Sequence, residues 1–201
     1  MIKAILFDWG GVLIANPEEG LMKYCAEMLG TTVADFKPRF FEYAEVFQKG
    51  EIEEQALWDN ICNSLNIAVP DEKNIWKKAV CKSFIDNNGT YDLLKGVKNA
   101  GFKTGFISNT EMAAVEYFHE NNNQQYFDAT IFSCVENTVK PEKEIYKIAL
   151  EKLGLQPEEA ILIDDKSENI QAAQQLKMHG IVFKNIDQVK KELSEKFEIV
   201  V

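Results

Sequence analysis

Two textures alternate along the chain. In one, short apolar runs end abruptly in Gly, Asn, Asp or Ser. In the other, apolar residues recur every three or four positions. Ile2 to Phe7, broken only by Lys3, is a run of the first kind. It is too short for a buried helix and is closed by Gly10-Gly11, so it predicts a buried strand. After Gly89 the two textures take turns. Strands are predicted at Phe102–Ile107, Ala129–Phe132, Ala160–Ile163 and Ile181–Phe183. Helices are predicted at Tyr91–Ala100, Met112–Glu120, Glu142–Leu153 and Asn169–Leu176. Strands that alternate with helices of about ten residues imply a parallel sheet covered on both faces.

The stretch from Pro17 to Asn87 is different. Leu21, Tyr24, Cys25, Met28 and Leu29 recur at helical spacing, as do Phe36, Phe40, Tyr43, Ala44 and Phe47, and then Leu57, Ile61, Cys62 and Leu65. A weaker group is Ile75, Ala79, Cys81 and Phe84, and Gly30, Gly50 and Pro70 punctuate the series. The fold class expected is therefore α/β: a Rossmann-like parallel sheet core from residues 1–14 and 90–201, with an all-α cap inserted at 15–89.

Composition narrows the function. The formal charge is −10, with Asp+Glu 32 against Lys+Arg 22. A nucleic-acid partner calls for a basic surface, so none is expected. A small phosphorylated substrate remains possible, because a divalent cation and one or two lysines reverse the potential inside a pocket. No apolar run approaches membrane-spanning length. A cleaved leader would remove Ile2 to Phe7 and the residue that follows it, so a cytoplasmic location is expected. Cys25, Cys62, Cys81 and Cys134 form no Cys-x-x-Cys pair and are expected to be buried, reduced thiols. The oligomeric state expected is a monomer or a weak homodimer.

Three predicted strands end in polar residues of particular types: Asp8, then Ser108-Asn109-Thr110, then Asp164-Asp165. In a parallel sheet such ends share one edge, the edge where open α/β sheets put their chemistry. Lys140-Pro141 falls before a helix near the same edge. Each piece alone reads as a cap or a solvated charge. Together they form a set with a chemical logic. Carboxylates are hard oxygen donors, suited to Mg²⁺, and several of them close together require a cation. A carboxylate is also a competent nucleophile toward phosphorus. The charge carried by a transferring phosphoryl group needs donors, which the Ser108 hydroxyl, backbone N–H groups near Trp9 and Asn109, and the Lys140 ammonium would supply.

On these residues the chain resembles the haloacid dehalogenase-like hydrolase superfamily. The motifs are Phe7-Asp8-Trp9-Gly10-Gly11-Val12-Leu13, Ile107-Ser108-Asn109-Thr110, Val139-Lys140-Pro141 and Ile163-Asp164-Asp165-Lys166-Ser167-Glu168-Asn169-Ile170, in matching order and spacing. The resemblance implies that Asp8 is nucleophile and metal ligand, and that Gly10 offers its carbonyl to Mg²⁺. It further implies that Ser108 and Asn109 bind phosphate, Lys140 steadies nucleophile and phosphate, and Asp165 binds the metal with Asp164 in or beside its ligand shell. The helical insertion would be the mobile cap, with hinges near Ala15 to Glu18 and Asn87 to Thr90.

Phosphatases of this superfamily usually carry a second Asp two residues after the nucleophile, as general acid and base. Here that position is Gly10. Such help is worth about 10² to 10⁴ in rate. A good leaving group, an acid from the cap such as Glu18 or Glu51, or weak catalysis would each account for the loss. The same Asp-x-Gly pattern is similar to that of bacterial sugar-1-phosphate phosphatases, glucose 1-phosphatase included, whose anomeric leaving oxygen is more acidic than an ordinary alcohol. The expected function is a Mg²⁺-dependent phosphatase acting on a small phosphorylated metabolite such as a hexose 1-phosphate, through an aspartyl-phosphate. A metal-free 2-haloacid dehalogenase is the first alternative, and the Asp164-Asp165 pair speaks against it. A non-catalytic phosphometabolite-binding protein on the same fold is the second. Arg39, His119 and His179 are read as structural or solvent-facing. One or two cap aromatics, and the loop Gln48-Lys49-Gly50-Glu51, are expected near the substrate.

Overall fold

The computed structural model describes residues 1–201. Five strands form one all-parallel sheet: β1 (Ala4–Phe7), β2 (Lys103–Ser108), β3 (Ala129–Phe132), β4 (Ala160–Asp164) and β5 (His179–Val182), in the spatial order β3-β2-β1-β4-β5. β1 is central. Ala4 pairs with Lys103 on one side and with Ala160 on the other. Every residue of β1 and β4 is buried, which is why these strands read as unbroken apolar runs. The chain winds from β1 to β3 in one direction and then crosses to β4 and β5 in the other. The order therefore reverses between β1 and β4, and the crevice outside the carboxyl ends at such a switch point is where ligands bind.

Four helices run consecutively between β1 and the rest of the core: α1 (Glu18–Met28), α2 (Val33–Gln48), α3 (Glu54–Leu65) and α4 (Ile75–Ser83). The core helices are α5 (Asn88–Asn99), α6 (Met112–Glu120), α7 (Ser133–Glu136), α8 (Lys143–Leu153), α9 (Ser167–Gln175) and α10 (Ile186–Phe197). Strand residues alternate between two apolar clusters. The smaller joins Ala4, Leu6 and Leu162 to Tyr146 of α8 and Ile170 of α9. The larger joins Ile5, Phe7 and Phe106 to α5, α6 and α10 and continues without a break into Phe36, Trp58 and Trp76 of the helical layer. Trp9 is the joint. Its ring packs edge-on against Phe84 at 4.8 Å, Phe106 at 5.3 Å and Phe118 at 5.5 Å.

The chain enters and leaves the helical layer side by side. Ile14 and Asp86 form an antiparallel bridge, Ala15 N–H donates to Ile85 O at 2.9 Å, and Asn87 N–H donates to Leu13 O at 2.8 Å. No helix is long and apolar enough to cross a membrane.

Three expectations need correction. The last strand begins at His179 rather than Ile181, because pairing with β4 extends over the polar His179-Gly180 start. Helix α10 was not anticipated, although Ile186, Val189 and Leu193 carry a helical spacing and the last two are buried. Cys25, Cys62 and Cys134 are buried but Cys81 is exposed, because the inward face of α4 carries Ile75, Trp76, Ala79 and Val80.

Candidate active site

Asp8 follows β1 directly, and its carboxylate turns back on the chain. The Trp9 N–H donates to Asp8 Oδ1 at 2.6 Å. Lys140 Nζ reaches the same oxygen at 2.6 Å, Asp164 Oδ2 at 2.7 Å and the Ile107 carbonyl at 3.0 Å. The ammonium thus touches groups at the ends of β1, β2 and β4. It is almost fully buried, and the two carboxylates hold it protonated against the pull of that burial.

The aspartate pair divides in two. Asp164 is fully buried and its oxygens are engaged. Oδ1 accepts from the Lys166 N–H at 2.9 Å, and the Asn169 amide reaches both oxygens at 2.9 and 3.0 Å. Asp165 keeps a buried Oδ1 without a partner. Oxygens from Asp8, Asp164 and Asp165 lie within 4.8 Å of one another. Burial pushes Asp8 up to about 7, with Asp164 adding to the shift and Lys140 opposing it. Burial also raises Asp165, again with Asp164 adding to it. Three carboxylates face one buried ammonium, a deficit of two positive charges. An all-oxygen donor set, an unpartnered carboxylate oxygen and a deficit of two together fit a hard divalent cation. Gly11 makes the approach possible. Its φ is +82°, and a Cβ there would overlap the Asp165 carboxylate. Gly10 lines the cavity beside Asp8, where a side chain would first meet Pro17.

Ser108 lines the cavity, as the sequence reading anticipates. Asn109 uses its side chain differently. Its amide donates to Lys140 O at 2.9 Å and accepts from Lys140 N–H at 2.7 Å, which fixes the backbone that presents the lysine. The Trp9 indole is likewise committed to the aromatic cluster. The Trp9 backbone N–H, expected near the phosphate, donates to Asp8 Oδ1.

The roof of the cavity comes from the helical layer: Phe40 and Phe41 of α2, Trp76 of α4, and Gln48 at the end of α2. The cavity measures about 180 Å³. The loop after α2 sits on the core. Ser133 Oγ donates to Gln48 O at 2.6 Å, Asn137 Nδ2 donates to Lys49 O at 2.9 Å, and Lys49 pairs with Glu142 at 2.7 Å. Gly50, at φ +70°, lies so close that a Cβ would come 2.5 Å from Cys134 O. Of the two acids suggested for the Gly10 role, Glu18 lines the cavity but pairs with Lys37 at 2.6 Å, and Glu51 is exposed and outside it. Arg39 pairs with Glu42 at 3.0 Å, and His119 is exposed.

Sequence reasoning missed three groups. Asn169 clamps Asp164, and its place five residues after Asp164 on a helix was a usable signal. Gln48 was anticipated only as part of its loop. Glu111 was not singled out, although it follows Ser108-Asn109-Thr110 directly. It is buried, lines the cavity, and accepts from Trp76 Nε1 at 3.0 Å.

Known proteins give the arrangement a context. Acyl-CoA dehydrogenase family member 10 of Mus musculus is 27% identical over 95% of this chain, which spans only 19% of that protein. The sesquiterpene phosphatase astK of Aspergillus oryzae is 27% identical over 89% of this chain and 88% of its own length. A phosphorylated carbohydrates phosphatase of Thermotoga maritima is 28% identical over 53% of this chain and 51% of its own. A HAD family enzyme of Bacteroides thetaiotaomicron, solved as a magnesium complex, superposes with a TM-score of 0.75 at 25% identity over 91% of this chain and 93% of that one. The haloacid dehalogenase-like hydrolase model matches residues 2–177, a span that holds all four motifs. By that match, and with Asp8, Ser108, Lys140 and the Asp164-Asp165 pair gathered at one sheet edge, the chain belongs to the haloacid dehalogenase-like hydrolase family.

Proposed function

We propose that this hydrolase is a Mg²⁺-dependent phosphatase of a small phosphomonoester, a sugar phosphate such as a hexose 1-phosphate, working through an aspartyl-phosphate on Asp8. One observation carries the reading: Asp8, Asp164 and Asp165 converge around a single buried lysine while one Asp165 oxygen stays without a partner. A metal-free halide displacement has no use for that surplus of negative charge. A non-catalytic binder has no use for an oriented nucleophile.

Asp8, the Gly10 carbonyl and Asp165 would hold the metal, with Asp164 beside them anchoring Lys140. When bound, Mg²⁺ would neutralise the carboxylates and draw charge from the phosphoryl oxygens. Lys140 and the Trp9 amide fix the Asp8 carboxylate in one orientation. Ser108 and the backbone N–H of Asn109 would receive the phosphoryl group. The carboxylate forms a bond to phosphorus as the bond to the leaving oxygen breaks. Water then attacks the same phosphorus, releasing inorganic phosphate and regenerating Asp8. With Gly10 unable to protonate the departing oxygen, an anomeric leaving group suits the site.

The cavity, smaller than the ~300–1,000 Å³ usual for drug-sized ligands, favours a compact substrate. The relative from Thermotoga maritima that is named for phosphorylated carbohydrates supports a sugar. Residues 15–89 serve as a cap that opens for entry and closes to exclude water. The test is phosphate release with Mg²⁺ from paired anomeric and primary sugar phosphates, beside an Asp8→Asn control. Turnover that needs both Mg²⁺ and Asp8, faster for glucose 1-phosphate than for glucose 6-phosphate, is the expected result. Chloride release from a 2-chloro acid without metal, and no phosphate release from any sugar phosphate, would overturn the reading.

A further inference from the structure

Glu111, a core residue that touches the roof, is the one cavity carboxyl that is both buried and without an ion-pair partner. It stands at the N-cap of α6, 5% exposed. Two groups of the helical layer face it: Trp76 Nε1 donates to Oε2 at 3.0 Å, and the Gln48 side chain lies close by. Both are uncharged. The cavity's lysines, Lys140 and Lys166, belong to the floor, and Lys140 is committed to Asp8 and Asp164. The other titratable groups around Glu111 are Cys25 of α1, Glu54 of α3 and Cys134 of α7, thiols or a like charge. No cation compensates it, and burial pushes it up to about 7.

An ionised carboxylate has about four lone-pair sites, of which Trp76 Nε1, the Gln48 side chain and the residue's own N–H take up to three. The rest are acceptor capacity for a ligand that brings hydroxyl donors. The rings of Phe40, Phe41 and Phe84 also line the cavity. They suit the C–H faces of a sugar ring and offer nothing to an anion. A second phosphate or a carboxylate set beside Glu111 would meet a carboxyl that has no ion-pair partner, with the cavity's lysines on the floor.

We infer that Glu111 is the specificity-determining residue of this site, accepting hydrogen bonds from the hydroxyls of an uncharged leaving group and turning away leaving groups that carry a second anionic group. The inference rests on the phosphatase reading above and narrows it to monophosphates of neutral polyols.

The experiment compares kcat/KM for glucose 1-phosphate with kcat/KM for glucose 1,6-bisphosphate, in the wild type and in Glu111→Gln, Glu111→Asp and Glu111→Ala. A ratio measured on one preparation does not depend on the fraction folded. Assayed above pH 8, where Glu111 is ionised, like charges juxtaposed in a desolvated site repel, so the wild type should favour the monophosphate by about tenfold or more. Glu111→Gln and Glu111→Ala should each cut the ratio by about tenfold, chiefly through a lower KM for the bisphosphate. Glu111→Asp, which keeps the charge, should hold the ratio near the wild-type value. A ratio unchanged in both Glu111→Gln and Glu111→Ala, with the wild type active, overturns the role of Glu111 and leaves the phosphatase standing. No phosphate from either substrate with the wild type overturns both.

Discussion

On the floor of the cavity, Lys140 binds two carboxylates and a strand carbonyl within 3.0 Å, and each carboxylate is held in turn by a backbone N–H or an asparagine. At the roof, aromatic rings of the helical layer close over a single core carboxyl, Glu111, which accepts from the Trp76 indole. The floor is built from strand ends that cannot shift without disturbing the sheet. The roof is built from helices tied to the core by Ser133, Asn137 and Glu142. Groups that must stabilise charge in a transition state need the first kind of support, because electrostatic catalysis depends on dipoles that do not reorganise. Groups that distinguish one leaving group from another tolerate the second. The contrast assigns chemistry to the floor and choice of substrate to the roof.

The largest effect should come from the floor. Asp8→Asn is expected to lower kcat by about 10⁴-fold or more, the scale seen when a nucleophile is removed. A steady-state phosphate assay would reveal a milder loss, and that would break the division at once. Next is Lys140→Ala, which strands two buried carboxylates. Breaking a buried ion pair typically costs about 3–5 kcal/mol, so Tm should fall by about 6–20 °C in metal-free buffer. Added Mg²⁺ should restore part of the loss. Scanning calorimetry with and without the metal checks both, and an equal drop in the two buffers would argue against a cation among Asp8, Asp164 and Asp165.

The roof predicts an effect of opposite sign. Glu111 is raised from an ordinary 4.5 to about 7. Between those values the folded chain holds a proton that the unfolded chain has released, so stability falls as pH rises through that window. Removing the carboxyl should therefore stabilise the protein. Glu111→Gln is expected to gain up to about 3 kcal/mol at pH 8 and little at pH 4, read by urea denaturation at the two values. A uniform loss at both would place Glu111 with the floor. The smallest effect should be Gly11→Ala. A non-glycine residue at φ +82° costs about 1–3 kcal/mol, and the overlap with Asp165 should also weaken Mg²⁺ binding, measured by calorimetric titration.

The same contrast explains what the sequence made legible. β1 to β4 are short apolar runs because parallel strands are buried on both faces, and Asp8, Ser108 and Asp164 follow because the residue after such a run faces the ligand edge. The floor is thus written locally, strand by strand. The roof is not. Glu111 is buried because Trp76, thirty-five residues earlier and in the insertion, closes over it. No periodicity in α6 announces such a pairing. Asn109 was legible as a site residue but not in its task, since its side chain answers to the backbone of Lys140, thirty-one residues away. Helix α10 had a readable spacing, and β5 was displaced by two residues because its first pairs with β4 involve a histidine and a glycine.

The bridge between Ile14 and Asp86 has a consequence for descent. It brings the two ends of a seventy-residue excursion to within one strand spacing of each other, about 5 Å. A loop closed that tightly can change length with little thermodynamic penalty, because closure entropy grows only logarithmically. Any helical unit whose ends lie side by side could be carried at the same place with β1, β2 and β4 undisturbed. The segments that supply the sheet-edge residues and the segment that supplies the aromatic roof are then free to be inherited, exchanged and worn away separately.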